Sequence, residues 1–246
     1  MGDNTKSEAA FYALRPGGWR DYWSLLHLPY TLWCLSYVAI GAATAHVITL
    51  KWLWLSLAAF FLAVGISAHA LDELQGRPLR TRIPSAVLWG LAIAGLIGAL
   101  AIGVYGATQI GWGLLAFMVF GAFAIPAYNL EWFGGAFHTD WWFAISWGGF
   151  VALTGAFAQT GRVSAPAVLV AAACGLLSLA QRRLSTPVRR LRRQVSSVSG
   201  ELVLQDGSRE TLDAAALRAA PEGGLRVMWV ALVLLAVGLV IARPHV

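Results

Sequence analysis

The chain has 246 residues, of which 58% are hydrophobic and only 12% are charged, and its formal net charge is +6. A water-soluble domain needs roughly 25% charged residues to cover its surface, so this composition excludes a soluble, disordered or collagen-like chain and indicates an integral membrane protein. The two cysteines, Cys34 and Cys174, lie inside apolar runs and are interpreted as small core side chains, which excludes a disulfide scaffold.

Seven apolar segments have about the length needed to cross a bilayer, which takes roughly 20 residues in a helix. In chain order they are 24–46, 50–70, 83–106, 108–128, 140–159, 163–181 and 227–242. The sequence therefore predicts an all-α, polytopic transmembrane helical bundle of about seven spans. The stretch before the first span is polar and lacks the pattern of a cleaved signal peptide, so we expect the first span to be retained.

The distribution of basic residues predicts the orientation of this bundle. With a cytoplasmic N-terminus, the inner segments are 1–23, 71–82, 129–139 and 182–226. Of the 18 lysines and arginines, only three then fall outside those segments: Lys51, Arg162 and Arg243. This bias follows the positive-inside rule. Because it accounts for the basic net charge, we expect membrane lipids and no nucleic acid as partners.

Four parts are predicted along the chain. They are a cytoplasmic N-terminal segment (1–23), a six-span membrane bundle (24–181), a basic cytoplasmic loop (182–226), and a seventh span with the tail (227–246). The basic loop contains a candidate hairpin from Glu201 to Glu210, turning at Asp206-Gly207, and a short helix from about Asp213.

Six arginines lie between Arg182 and Arg193, directly after the sixth span. Such clusters usually bind anionic lipid headgroups next to a span. The alternative is that some of these arginines reach over a substrate site and hold a diphosphate, because a guanidinium forms two parallel hydrogen bonds to phosphate oxygens.

Most of the 12 acidic residues lie in segments that look aqueous. These eight are Asp3, Glu8, Asp21, Glu201, Asp206, Glu210, Asp213 and Glu222. The other four lie at the predicted inner ends of spans, in two pairs that each include a nearby histidine. His69, Asp72 and Glu73 have i, i+3 and i+4 spacing, which places them on one face of a helix.

The second cluster brackets the loop between the fourth and fifth spans, with Glu131, His138 and Asp140. Ionisable groups at a membrane are costly unless they are paired or used. Two facing carboxylate clusters would be strongly negative, and hard divalent cations, which prefer oxygen ligands, would neutralise them. The two clusters are therefore predicted to face each other across a shared cation.

Several motifs accompany these clusters. They are Trp19-Arg-Asp-Tyr-Trp23, Leu28-Pro-Tyr-Thr31, His69-Ala-Leu-Asp-Glu73 with Arg77-Pro-Leu79, and Tyr128-Asn-Leu-Glu131 continuing through Phe137-His-Thr-Asp140 to Gly148, Gly149 and Gly155. Over about residues 19–160 the chain resembles the UbiA superfamily of intramembrane prenyltransferases and related terpene cyclases. Its first motif departs from the family pattern Asn-Asp-x-x-Asp at His69, Ala70 and Glu73.

The resemblance implies a UbiA-like membrane enzyme that transfers or cyclises the prenyl group of an isoprenoid diphosphate, using magnesium ions. It implies four acidic metal ligands: Asp72, Glu73, Glu131 and Asp140. It implies Arg77 and Arg80 as diphosphate contacts. Further candidates for the substrate chamber are His27, Tyr128 and Asn129. The acidic site is expected on the cytoplasmic side.

Two alternatives remain open at the sequence level. His69 and His138 together with the four carboxylates make the ligand inventory of a di-iron or di-manganese site, which would oxidise or hydroxylate a lipid. A non-enzymatic transporter or lipid-binding membrane protein would instead use the polar cluster as a proton or ion site.

Overall fold

The computed structural model describes residues 9–246, and most of this part of the chain is helical. Asp3 and Glu8, two of the acids predicted to be aqueous, lie outside the described residues. The elements in chain order are α1 (Trp19–Leu25), α2 (Leu28–Ala42), α3 (Leu50–Phe60), the π-helical segment π1 (Phe61–Ala68), α4 (His69–Leu74), α5 (Ser85–Ile110), α6 (Leu114–Asn129), the single turn α7 (Trp132–Gly135), α8 (Asp140–Ala144), the π-helical segment π2 (Ile145–Gly149), α9 (Phe150–Thr160), α10 (Ala165–Arg193), β1 (Glu201–Val203), β2 (Arg209–Thr211) and α11 (Ala214–Ile241).

Five continuous helical segments of the described chain are long and apolar enough to cross a membrane. They are Leu50–Leu74, Ser85–Ile110, Asp140–Thr160, Ala165–Arg193 and Ala214–Ile241. Helices α1 and α2, bent by 41° relative to each other, add a sixth if they form one span. The protein is therefore a multi-pass helical membrane protein.

The remaining predicted span, 108–128, corresponds to α6, which has 16 residues and falls short of the length of a full span. Its start is delayed because the sequence Gly111-Trp-Gly113 interrupts the helix, with Gly111 at a φ of 143° that other residues rarely adopt. The structure thus gives five or six candidate spans in the described residues, where the sequence predicts about seven.

Helix α2 packs closely against α9 because both helices carry glycine at their crossing. A Cβ atom built on Gly41 would lie 1.9 Å from the carbonyl oxygen of Ala152, and one on Gly155 would lie 2.3 Å from that of Val38. Small residues allow membrane helices to approach at this distance. This contact holds α2 against α9, the helix that continues from α8 and π2. The first turns of α2 line the candidate site.

The predicted hairpin is present between α10 and α11. Strands β1 and β2 pair antiparallel, and Gly207 at the turn has a φ of 82°. The side chain of Asp213 accepts a hydrogen bond from the N–H of Ala216 and caps α11. The helix that begins there continues to Ile241, so the short helix and the last span predicted from the sequence form one element.

Candidate functional site

A polar cavity of about 570 Å³ lies at one end of the bundle. Its walls come from the start of α2, the ends of α4, α6 and α10, and the region of α8 and π2. Tyr12 and its neighbours in the N-terminal segment also line it. The cavity thus collects polar residues from helix ends that are far apart in the sequence.

Most of the positive charge of the cavity comes from the last turns of α10. Five arginines line it: Arg182, Arg189, Arg190, Arg192 and Arg193. Arg183 is exposed and does not belong to the lining. The only carboxylates among the lining residues described are Asp72 and Glu131, so cations outnumber anions in the cavity.

Two of these five arginines are neutralised by carboxylates. Arg182 Nε lies 2.6 Å from Oδ1 of Asp140, and its guanidinium also donates to the hydroxyl of Tyr128. Arg192 Nη2 lies 2.8 Å from each carboxylate oxygen of Glu222.

By contrast, Arg189 and Arg193 have no ion pair with any described residue. Arg193 Nε donates to the carbonyl oxygen of Ala9 at 3.4 Å, and Arg189 Nη2 donates to Thr186 Oγ1 at 3.2 Å. Both contacts are to neutral groups. Arg190, the fifth lining arginine, likewise forms no ion pair with a described residue. Asp72, which lines the same cavity, interacts with Arg189 and Arg193 only at longer range, so one carboxylate faces several guanidinium groups.

A pair of stacked histidines forms another part of the cavity wall. The rings of His27 and His69 are 4.1 Å apart between centroids and nearly parallel, at 15°. Tyr12 Oη lies 3.1 Å from His27 Nδ1, and His69 Nδ1 lies 3.3 Å from the carbonyl oxygen of Gly65. His27 has a φ of 44°, in the left-handed region, where the chain turns from α1 into α2.

The second predicted cluster is also partly in the cavity. The ring of His138 stacks on that of Tyr128, with 4.4 Å between centroids. His138 Nδ1 lies 3.1 Å from the carbonyl oxygen of Tyr128 and 4.0 Å from Oε1 of Glu131. Asn129 lines the cavity as well, while its side chain donates to the carbonyl oxygen of Ile125 at 2.7 Å.

Glu73 does not face the cavity, although the sequence predicts it as a metal ligand. Its side chain is fully buried, and Oε2 accepts from the N–H of Leu79 at 2.9 Å. Oε1 accepts from both the N–H and the hydroxyl of Thr81, each at 2.8 Å. The carboxylate therefore organises the loop after α4, and Asp72, one residue earlier, is the group that lines the cavity.

These positions do not supply a metal centre of the expected kind. Among the described residues, no three His, Cys, Asp or Glu side chains lie close enough to hold one ion. Glu73 is saturated by loop donors, and Asp140 is paired with Arg182. The described residues thus do not fit a two-metal magnesium site, nor the di-iron or di-manganese site that would need His69 and His138 in one ligand set.

The arginines predicted as diphosphate contacts point elsewhere. Arg77 donates from Nη1 to the carbonyl oxygen of Ile83 at 2.6 Å and from Nη2 to Ser85 Oγ at 2.7 Å, which ties the loop to the start of α5. Arg80 is exposed. Neither lines the cavity, so the guanidinium groups at the site come from α10 instead.

Two acids that look aqueous in the sequence are buried in the structure. Asp21 accepts from the N–H of Gly17 at 2.8 Å and from that of Arg82 at 3.0 Å, which joins the N-terminal segment to the loop after α4. Glu222 accepts from Arg192 and Arg226. Hydrogen bonds between distant segments bury both carboxylates.

An apolar cavity of about 120 Å³ adjoins the polar one. It lies between α3, π1, α5, α6 and α9, and nearly all of its lining side chains are apolar or aromatic. Val64 and Trp147 belong to the walls of both cavities. The site therefore combines a cationic compartment with an apolar one across a shared wall.

The chain matches no family model, and neither a curated protein nor a solved structure matches it. The likeness to the UbiA superfamily consequently stays a prediction from motifs. Sequence reasoning did not find Tyr12 or Trp147, because neither lies in a motif. The arginines between Arg182 and Arg193 are named from the sequence as alternative diphosphate contacts, and five of these six line the cavity.

Proposed function

We propose that the protein is an integral membrane enzyme that acts on an isoprenoid diphosphate, by prenyl transfer or cyclisation. The single observation that carries the proposal is the excess of arginine over carboxylate in a cavity whose wall is shared with an apolar compartment. In this proposal Arg189 and Arg193 bind the diphosphate, and the tail lies toward Val64 and Trp147.

The charge of the cavity supports an anionic headgroup. Arginine binds phosphate oxygens through charge-assisted hydrogen bonds that are shorter and stronger than neutral ones. An unneutralised guanidinium near a membrane is costly, and an anion offsets that cost. Arg189 and Arg193 form no ion pair with a described carboxylate, and Asp72, which interacts with both at longer range, can offset only one of the two charges.

The aromatic residues at the boundary support the proposed chemistry. Tyr128, Phe143 and Trp147 line the polar cavity and contact one another, with Tyr128 and Trp147 at 4.5 Å between centroids. The faces of aromatic rings attract cations. They are therefore suited to lie against an allylic carbocation formed next to the arginines.

The reaction then follows from charge. The bond between the first prenyl carbon and the diphosphate oxygen breaks, and its electron pair leaves with the diphosphate, whose growing negative charge the guanidinium groups stabilise. The allylic cation is attacked by an acceptor or by a double bond of the same chain, and loss of a proton restores neutrality. The apolar wall excludes water, which would otherwise trap the cation.

Replacing both Arg189 and Arg193 with alanine tests the assignment of the headgroup. We expect the Kd for inorganic pyrophosphate and for farnesyl diphosphate to rise about 100-fold, because each hydrogen bond to a charged group contributes about 1.5–3 kcal/mol. The matched control is Arg162→Ala with Arg183→Ala, which removes the same charge from exposed positions outside the cavity. Equal weakening by both pairs would contradict a specific site.

Removal of divalent metal gives a second test. Because arginines rather than converging carboxylates are assigned to the headgroup, we expect the purified protein to bind pyrophosphate in excess EDTA with an affinity within about threefold of that in magnesium. The measurement is a calorimetric titration in detergent under both conditions. Binding that disappears in EDTA would show that Asp72 and Glu131 recruit a metal with the ligand.

A transporter or lipid-binding protein is a second candidate, supported by the bend between the first two helices, α1 and α2. Helices α1 and α2 meet at a bend of 41° next to the cavity, and broken helices are typical of transport sites. Release of pyrophosphate from farnesyl diphosphate separates the two functions. Flux of a prenyl diphosphate or of ions across liposomes without such release would favour transport.

A further inference from the structure

His27 carries a buried polar atom that the protein itself does not satisfy. The residue is 7% exposed and lines the polar cavity. Its Nε2 has no hydrogen-bond partner in the described part of the chain. A buried donor or acceptor left without a partner costs about 1–3 kcal/mol, so such an atom points to a ligand that supplies the missing group.

The partner of the other ring nitrogen decides which hydrogen-bonding role Nε2 has. His27 Nδ1 faces the hydroxyl of Tyr12 at 3.1 Å. Burial raises the pKa of the Tyr12 phenol well above its ordinary value, so this hydroxyl keeps its proton at neutral pH. If Tyr12 donates to Nδ1, only the Nε2–H is left without a partner. If instead Nδ1–H donates to Tyr12, two groups are left without a partner: the phenol proton and the Nε2 lone pair.

Satisfying more groups is favoured, so the neutral ring carries its proton on Nε2. In that tautomer Nε2 is a donor inside the cavity and needs an acceptor from the ligand. Arg189 and Arg193 of α10 line the same cavity as this ring. An anion held by these two arginines would therefore share the cavity with His27, where its oxygens are the acceptors available to Nε2–H.

We propose that His27, with its proton on Nε2, donates a hydrogen bond to an oxygen of the phosphate or diphosphate group that Arg189 and Arg193 bind, and that Tyr12 is the positioning residue that fixes this tautomer. The inference rests on the proposed function. His69 stacks on the ring and holds its plane. His27 has a left-handed backbone conformation, which is unusual for a residue with a Cβ. This local distortion accompanies the position of the ring in the cavity wall.

The tautomer is measured first, without any ligand. Nitrogen-15 NMR of histidine-labelled protein in detergent distinguishes Nδ1–H, Nε2–H and the doubly protonated ring. We expect one histidine with Nε2–H that His27→Leu removes and that Tyr12→Phe converts to a mixture. A His27 ring found as Nδ1–H or as imidazolium at neutral pH would overturn the proposal.

Ligand binding is measured next, with inorganic pyrophosphate and farnesyl diphosphate. We expect His27→Leu to raise the Kd about tenfold, Tyr12→Phe to raise it about threefold, and His27→Gln, which keeps an N–H donor, to recover most of the loss. The control is His46→Leu, since His46 is exposed and outside the cavity. Thermal unfolding of each variant establishes that it is folded.

The outcomes separate this inference from the function on which it rests. If the Arg189 and Arg193 variant loses both ligands and His27→Leu loses neither, the headgroup site stands and the role of His27 is overturned. If the wild-type protein binds neither ligand, both are overturned. Loss of farnesyl diphosphate and pyrophosphate alike in His27→Leu supports recognition of the phosphate group. Loss of farnesyl diphosphate alone would overturn the proposal, because pyrophosphate presents the same kind of oxygen without the tail.

Discussion

Replacing Glu73 with alanine is expected to lower the free energy of unfolding by about 3 kcal/mol or more. The substitution leaves three buried donors without an acceptor: the N–H of Leu79, the N–H of Thr81 and the hydroxyl of Thr81. Each such orphaned group costs about 1–3 kcal/mol. Titration with SDS from a mild detergent, followed by circular dichroism, measures the loss.

The matched control for this prediction is Asp72→Ala. Asp72 is the neighbouring carboxylate and lines the cavity, and its side chain makes no hydrogen bond to the loop among the described residues. We therefore expect a change in ligand binding with an unfolding free energy within about 1 kcal/mol of the wild type. Glu73→Gln keeps one acceptor oxygen and should be intermediate. If Glu73→Ala remained as stable as the wild type and lost only metal or ligand binding, the structural role assigned to Glu73 would be wrong.

Replacing Gly41 with alanine is expected to have an effect of similar size, about 3 kcal/mol or more, or to prevent folding. The new Cβ would lie 1.9 Å from the carbonyl oxygen of Ala152, a backbone atom that cannot move aside as a flexible side chain would. Helices α2 and α9 would have to separate. The expected result is a lower yield of monodisperse protein and a lower unfolding midpoint.

The control variant for the glycine prediction, Gly90→Ala, is expected to change the stability in the opposite direction. Gly90 lies inside α5, and a Cβ there would meet no atom within 4 Å. Because alanine is a better helix former than glycine by up to about 1 kcal/mol, Gly90→Ala should be neutral or slightly stabilising. Equal stability of the Gly41 and Gly90 variants would mean that the close approach of α2 and α9 does not hold in the membrane.

Both predictions bear on the site as well as on stability. Helix α2 begins directly after His27, and α9 continues from the segment that carries Trp147. Separating α2 from α9 would therefore move the histidine wall away from the aromatic wall. We expect the Gly41 variant to lose farnesyl diphosphate binding even in preparations that remain folded.

Predictions from composition and pattern succeeded where a local property suffices. A long apolar run has to be buried in lipid as a helix, and Asp-Gly between alternating residues favours a hairpin turn. The helical and multi-pass character and the hairpin near Gly207 follow from such local rules. The number of spans did not follow from such rules, because the glycines on either side of Trp112 shorten α6 below the length that its hydropathy predicts.

The candidate site was predictable only to the level of helix ends. Periodicity places His69, Asp72 and Glu73 on one face of a helix, but it cannot state that Glu73 is taken by the loop that follows while Asp72 lines the cavity. Likewise, nothing in the sequence near Asp21 indicates that its carboxylate accepts from the N–H of Arg82. Hydrogen bonds between distant segments have no periodic signature.

The sequence by itself determined that the chain is a helical membrane protein with acidic and histidine residues at helix ends and a basic segment after a span. Only the tertiary structure decided that the arginines of α10 face the cavity, that Arg77 and Arg80 do not, and that Tyr12 meets His27. The physical reason is that apolar burial depends on local composition, whereas the pairing of polar groups depends on which distant backbones are brought within hydrogen-bonding distance.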